Sequence, residues 1–353
     1  ILQSGILKMI IDGKKEAVLL REEIKKEIAL LKESRNKVPG LSVILISHKL
    51  NEILSVSDKI VVLRNGSVVG EVPTVEANRT KLAEMIVGGT VQYPQKKTLT
   101  KGAEVVRFQD VSCNPINEST KGLNEVNFRV YEGQIFGIAG VTGNGQIPLA
   151  KMMAGHLTPT KGEMYYKESK VTSHNPRKFM NLGIAYVPED RNTDGLVGDM
   201  SVWENAVITE TEDSNIRTPF GWFNREHCKI VAQTLCETYD VRTQSLQQPA
   251  RLLSGGNVQK LLLGRWLTRK PKLLIACQPT RGVDIGAAEY IHNRLIEQRD
   301  IGTATLLISE DLDEVIGLSD RIAVMYEGEI ISIISGENVE RNKIGLLMAG
   351  VKD

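Results

Sequence analysis

The sequence has little net charge, no long apolar run and few cysteines, and each shortage closes a class of function. Lys plus Arg (44) nearly balances Asp plus Glu (43). Bulk charge therefore gives no reason to propose a nucleic-acid partner. No uninterrupted apolar run approaches the roughly twenty residues that span a bilayer, and nothing resembles a signal peptide. Any role at a membrane has to run through a partner. The four cysteines, Cys113, Cys228, Cys236 and Cys277, form no CxxC pair and have no histidines at metal-ligand spacing. His227 beside Cys228 reads as helix surface, not as a metal site. Such cysteine usage fits a reducing cytoplasm. No G-x-G-x-x-G follows the first strand with an acidic residue at the usual distance, which excludes a Rossmann dinucleotide binder.

What is present begins with bulk. The 353 residues, 41% hydrophobic and 25% charged, suffice for one large or two moderate domains. Val43 to Gly66 (VILISHKLNEILSVSDKIVVLRNG) aligns without a gap with Thr305 to Gly328 (TLLISEDLDEVIGLSDRIAVMYEG), and the register holds to Gly88 opposite Gly350. Position 48 faces position 310, an offset of 262 residues. A repeat a domain-length apart implies a duplicated domain. Each copy reads as a buried strand (Val43 to Ser47; Thr305 to Ser309), a short helix ending at Ser-Asp, and two strands joined by a turn at Asn65-Gly66 or Glu327-Gly328. The expected plan is residues 1–90 as the end of a first copy, 91–102 as a polar linker, and 103–353 as a complete second copy. The first copy's beginning would be missing, and the start at Ile1 instead of methionine points to an N-terminus that is not the natural one. Glu16 to Asn36 has the apolar spacing of an amphipathic helix.

In the complete copy, two β-rich runs (Val105 to Ser112, Glu125 to Tyr131) precede a strand, Ile135 to Gly140. A glycine-rich loop, GVTGNGQI (Gly140 to Ile147), then leads into a helix starting near Gln146. Strand, glycine loop and helix form a phosphate cradle built from backbone N–H groups. Against G-x-x-x-x-G-K-[ST], Gly140 and Gly145 are in place, Gln146 replaces the lysine and Ile147 replaces the Ser/Thr. The backbone of Thr142, Gly143, Asn144, Gly145 and Gln146 retains a cradle without the charge for the β and γ phosphates or a magnesium ligand. A tight strand-to-helix turn without a ligand is the simpler alternative. Downstream, the buried strand Lys272 to Ala276 runs into Cys277 and Gln278, where a nucleotide hydrolase would carry a magnesium-holding Asp and a Glu for the attacking water. A thiol is a poor ligand for a hard ion, and an amide is no base. Where the first copy has His48, the second has Glu310.

Leu253 to Lys260, LSGGNVQK, opens another helix. Unpaired N–H groups, the positive end of the helix dipole and the Ser254 hydroxyl favour an anion there.

The ordered set of glycine loop, LSGGNVQK, QPTRGVD (Gln278 to Asp284) and LLISEDLDE (Leu306 to Glu314) resembles the second nucleotide-binding domain of the ATP-binding cassette (ABC) family. The likeness extends from Val105 to Gly350. Within the family it is most similar to duplicated ATPase subunits of importers for simple sugars and nucleosides. The resemblance implies an α/β P-loop NTPase fold with a helical subdomain (Gly198 to Pro249) and an antiparallel β-subdomain. It makes Leu253, Ser254, Gly255, Gly256, Asn257 and Gln259 the signature motif, acting on ATP held by the first domain, and implies head-to-tail pairing with a first ABC domain or another copy. His48 becomes the first domain's switch histidine, catalytic only with a full first domain. Pro188-Glu189-Asp190 becomes the segment that meets the membrane subunits, with Glu189 where the wider family has Gln. Trp203, Trp222 and Trp266 read as core. Met9 to Asp12 reads as a relic of a Walker B strand, though Gly13-Lys14-Lys15 follows where Glu-Pro-Thr is expected.

The implied cofactors are ATP, with Mg2+ only at a completed first-domain site, and the implied partners are integral-membrane permease subunits and, indirectly, an extracytoplasmic substrate-binding protein. The implied location is the cytoplasmic face of the membrane. Family activity is ATP hydrolysis coupled to transport, but this chain is expected to be inactive alone. A truncated non-functional product, or a soluble cassette protein of translation or DNA repair, are the rival readings.

Overall fold

The computed structural model describes residues 26, 43–47, 50–64, 66–88, 96, 102–172, 175–210, 216, 223–337 and 339–351. The chain divides into two compact units, 1–57 and 58–353.

In the first unit the described regular element is helix α1 (Leu50–Val56). Val43 to Ser47, expected as a buried strand, is not one: the segment has no strand pairing, and Ile44 and Ile46 are 86% and 90% exposed. A parallel strand is held by ladders to its neighbours, and among the described residues this segment has none. His48, Met9 to Asp12 and all of Glu16 to Asn36 except Lys26 lie outside the described residues.

The second unit opens with the antiparallel pair β1 (Lys59–Arg64) and β2 (Ser67–Pro73), followed by α2 (Arg79–Val87). Asn78 caps this helix by accepting the Lys81 N–H. Next come β3 (Glu104–Cys113), β4 (Leu123–Tyr131), β5 (Ile135–Ala139), α3 (Gln146–Met153), β6 (Lys161–Tyr166), β7 (Ser169–Lys170), α4 (Pro176–Asn181) and β8 (Ile184–Val187). After a π-type turn, Arg191–Gly195, follow α5 (Val202–Val207), α6 (Arg225–Thr238) and α7 (Gly255–Leu267). The chain continues with β9 (Leu273–Cys277), α8 (Ile285–Asp300), β10 (Ala304–Ile308), α9 (Leu312–Leu318), β11 (Arg321–Tyr326), β12 (Glu329–Ser335) and α10 (Arg341–Met348).

Six strands form one sheet in the order β12-β11-β5-β10-β9-β8, parallel except for the β11–β12 pair at one edge. Its central strands read IFGIA, LLIAC and ATLLI and are buried at every position. Continuous apolar runs of this kind belong to parallel strands covered on both faces. One face packs on the antiparallel sheet β4-β3-β6-β7 through Phe108, Phe128 and Phe136, whose rings stack in series. The other carries α5, α6, α7 and α8, with Trp203 and Trp266 packed partly buried against that core; Trp222 lies outside the described residues. Cys228 faces this core from α6, so the expected surface reading of the His227-Cys228 pair is corrected: apolar neighbours at Ala232 and Leu235 turn that face inward.

The elements keep the 262-residue spacing: α1 with α9, β1 with β11, β2 with β12, and the starts of α2 and α10. The register shift between Val62 and Leu63 recurs between Val324 and Met325. Environments differ, because β11 pairs with β5 and buries Ala323 and Met325, whereas Val61 and Leu63 are exposed. Arg79 and Arg341, at equivalent positions, both pair with Asp313.

Candidate functional site

The glycine loop lies between the end of β5 and the start of α3, as the sequence predicts. Gly143 and Gly145 adopt left-handed φ values of 91° and 110°, a conformation that a side chain would strain. Gly145 forms the N-cap of α3 and supplies no side-chain acceptor to the first-turn N–H groups, which have no partner within the helix. Loop residues Thr142, Gly143 and Asn144 form one wall of a cavity of about 650 Å3, and residues 117–121 with Pro115 form the other. The second wall is tied down: the Lys121 N–H donates to the Gly143 carbonyl at 2.7 Å, and Lys121 Nζ lies 3.4 Å from Glu327. Sequence reasoning missed residues 115–121, since irregular polar loops carry no periodicity.

The altered positions form two clusters. Gln146 is only 6% exposed, and its Nε2 donates to the Val141 carbonyl at 3.0 Å. A Cβ on Gly140 would sit 2.7 Å from that nitrogen and 2.7 Å from the Met325 carbonyl oxygen, so the neighbouring backbone as well as the folded-back amide calls for glycine there. Cys277 is fully buried at the end of β9, and burial pushes its thiol far up, with Glu189 adding to the effect. It is neither a metal ligand nor an acid-base group. Gln278 holds a left-handed φ of 50°, its N–H donating to the Ile308 carbonyl. Its Oε1 accepts the Glu310 N–H at 3.0 Å, and the Glu310 carboxylate accepts the Thr142 hydroxyl at 2.7 Å. Gln278, Glu310 and Thr142 therefore link two strand ends to the glycine loop. With Ile147, a buried thiol and an amide where ligands are needed, this loop does not fit magnesium.

Ser254 caps α7 by accepting the Asn257 N–H and remains exposed. Gly255 and Gly256 are needed by their neighbours. A Cβ on Gly255 would lie 2.9 Å from both Arg191 Nη2 and the Gly282 carbonyl, and one on Gly256 2.9 Å from Ala287 Cβ. Leu253 packs against the core, Asn257 Oδ1 accepts the Arg242 N–H, and Gln259 is buried. Ser254 and the first N–H groups are thus what the helix offers a ligand. Arg191, not singled out from sequence, donates to the Arg281 and Gly282 carbonyls, while Arg281 pairs with Glu189. Two arginines fasten the Glu189 segment to the loop after β9.

A second buried constellation also escaped the sequence: Glu314 Oε1 accepts the Thr280 hydroxyl and meets His292 Nε2, both at 2.8 Å. A separate groove of about 400 Å3 is lined by Lys151, His156, Arg177, Tyr186, Asp194 and Trp266. Among the described residues no helix is long and apolar enough to cross a membrane.

Comparison with known proteins matches residues 123–281 to the ABC transporter family. A glucose import ATP-binding protein of Haloferax volcanii is 42% identical over 321 residues, covering 89% of this chain and 57% of the relative. A nucleoside import ATP-binding protein of Lactococcus lactis subsp. cremoris is 38% identical, with 95% and 65% covered. The chain thus spans less than two thirds of the length of these relatives. A ribose import ATP-binding protein of Lactococcus lactis subsp. cremoris is 31% identical, with 98% of this chain and 68% of the relative covered. Among solved structures, a nucleotide-free ATP-binding cassette from an ABC transporter matches with TM-score 0.57 and 25% identity over 70% of this chain and 96% of that one. A dimeric cassette bound to ADP and Pi matches with TM-score 0.56 and 19% identity, over 66% of this chain and all of that one. The α/β P-loop fold, with its helical and antiparallel additions, is that of an ABC cassette.

Proposed function

Since the chain belongs to the ABC transporter family, we propose that it is part of the ATP-binding, energising subunit of an importer for nucleosides or simple sugars. Its cassette at 103–353 serves as a non-hydrolysing second site, and residues 1–90, joined through 91–102, correspond to the end of a first cassette. The names of the relatives support the substrate classes, and the common spacing of the elements supports the duplication.

One observation carries the silent site: the glycine loop keeps its cradle while Gln146 is tied to Val141 and Cys277 is buried. Positions 146, 147, 277 and 278 supply no lysine charge, magnesium ligand or base, and the Glu310 carboxylate is engaged by the Thr142 hydroxyl. The exposed start of α7 then serves a nucleotide bound by the first cassette, where Ser254 and the N–H groups of Gly255 and Gly256 would meet its terminal phosphate. Mg2+ belongs to that completed site, with His48 as its switch residue. The Pro188-Glu189-Asp190 segment meets a permease subunit at the cytoplasmic face of the membrane, and the extracytoplasmic binding protein acts through that permease.

Purified chain assayed for ATP turnover is expected to show none above background. Turnover that responds to Gln146 or Gln278 substitution would overturn the silent site. Co-purification with ribosomes and not with a permease would overturn the transport role.

A further inference from the structure

Glu310, just past the end of β10, places a carboxylate against the glycine loop. Its carboxylate holds the Thr142 hydroxyl, its backbone is fixed by Gln278, and among the described residues it has no ion pair. The cavity beside residues 117–121 has room for a nucleoside at the far side of Thr142, Gly143 and Asn144. A phosphate chain running from that cavity along the loop past Thr142 would end near the tips of β9 and β10, where Thr142 is bonded to Glu310 and Glu310 to Gln278. Lysine, which would offset this charge, is absent at position 146, and the Gln146 amide is committed to Val141.

Resting on the reading of this loop as a nucleotide site without hydrolysis, we infer that Glu310 makes it select nucleoside diphosphates over triphosphates. A γ-phosphate would bring its charge up to a carboxylate held by the Thr142 hydroxyl, on a backbone anchored to the Gln278 side chain. Like charges in direct contact repel by about 1 kcal/mol or more, about fivefold in affinity, even where solvent screens them. A diphosphate stops one group short and leaves the Thr142–Glu310 bond intact. The site thus holds ADP as a resting ligand and keeps its loop in the conformation seen here.

Equilibrium binding of ADP and ATP to the purified chain, with EDTA and with Mg2+, tests this in three proteins: wild type, Glu310→Gln and Gln146→Lys. Position 310 is exposed, and glutamine keeps an acceptor for Thr142, so folding is not at stake. Wild type is expected to prefer ADP by about tenfold or more. Glu310→Gln is expected to tighten ATP about tenfold while ADP changes by less than about threefold. An ADP-to-ATP ratio that Glu310→Gln leaves unchanged overturns the inference while the nucleotide site stands. ATP binding strengthened by Mg2+ in wild type and not in Glu310→Gln also overturns it, since the carboxylate would then be a metal ligand. Failure of all three proteins to bind either nucleotide overturns the nucleotide-site reading itself, and the inference with it.

Discussion

At residue 146 the change from the lysine of the P-loop pattern to glutamine alters direction as well as charge, because an amide can satisfy itself on a loop carbonyl. Gln146→Lys is expected to tighten nucleotide about tenfold through the restored charge. Turnover should stay at background, since Cys277 and Gln278 still supply neither ligand nor base; calorimetric binding beside a phosphate-release assay reads both. Gly255→Ala should cost about 1–3 kcal/mol in thermal or denaturant unfolding, because the added methyl meets the Gly282 backbone carbonyl as well as the movable Arg191. His156 gives a pH signature: burial, with Lys151 adding to it, holds its imidazole below the ordinary 6.5. The unfolded chain then binds the proton more readily, so this contribution to stability is complete above about pH 6.5 and declines as pH falls toward the lowered native value. Urea midpoints measured from pH 7.5 to 5 should fall less steeply in His156→Gln.

Helix α7 shows how one element serves two ends. The Ser254 hydroxyl caps the helix, and Ser254→Ala should lower stability by about 1 kcal/mol. Ser254→Asp keeps a capping oxygen and adds a negative charge to a surface meant for phosphate. In the complete importer it should leave the melting temperature within about 2 °C and abolish transport-coupled ATP turnover. If turnover survives in Ser254→Asp, the helix start does not face nucleotide.

The helix was legible because Ser, two glycines and an apolar period leave few alternatives. So were β5, β9 and β10, whose unbroken apolar runs belong only in the middle of a covered sheet. Val43 to Ser47 carries the same apolar signal as β10 and forms no strand, since a ladder depends on neighbours that no single segment encodes. The Thr142–Glu310–Gln278 linkage was equally hidden: the composition of each position was visible, but contact between residues 168 positions apart is a product of strand order.

Across the whole molecule, Arg299 and Asp320 join α8, β5 and β11. Two guanidinium nitrogens of Arg299 meet the Asp320 carboxylate at 2.7–3.1 Å, while that carboxylate also accepts the Ile135 N–H. Both residues are largely buried, and the bond to Asp320 raises the arginine's pKa. Removing Asp320 leaves the buried Arg299 with Asp300, which meets its Nη1 at 2.8 Å, and takes the acceptor from the Ile135 N–H, so Asp320→Ala should cost about 3 kcal/mol, read as a denaturant midpoint shift. Arg299→Met with Asp320→Leu should recover much of it.

The four thiols give the molecule a practical property. Cys113, Cys228, Cys236 and Cys277 are all buried and reduced, and desolvation raises every one of their pKa values. Thiolate, the species that maleimides attack, is correspondingly scarce. The folded chain is therefore expected to react slowly with thiol labels, and one cysteine introduced at an exposed site such as Glu310 or Ser254 could carry a fluorophore or spin label without first stripping the natural ones.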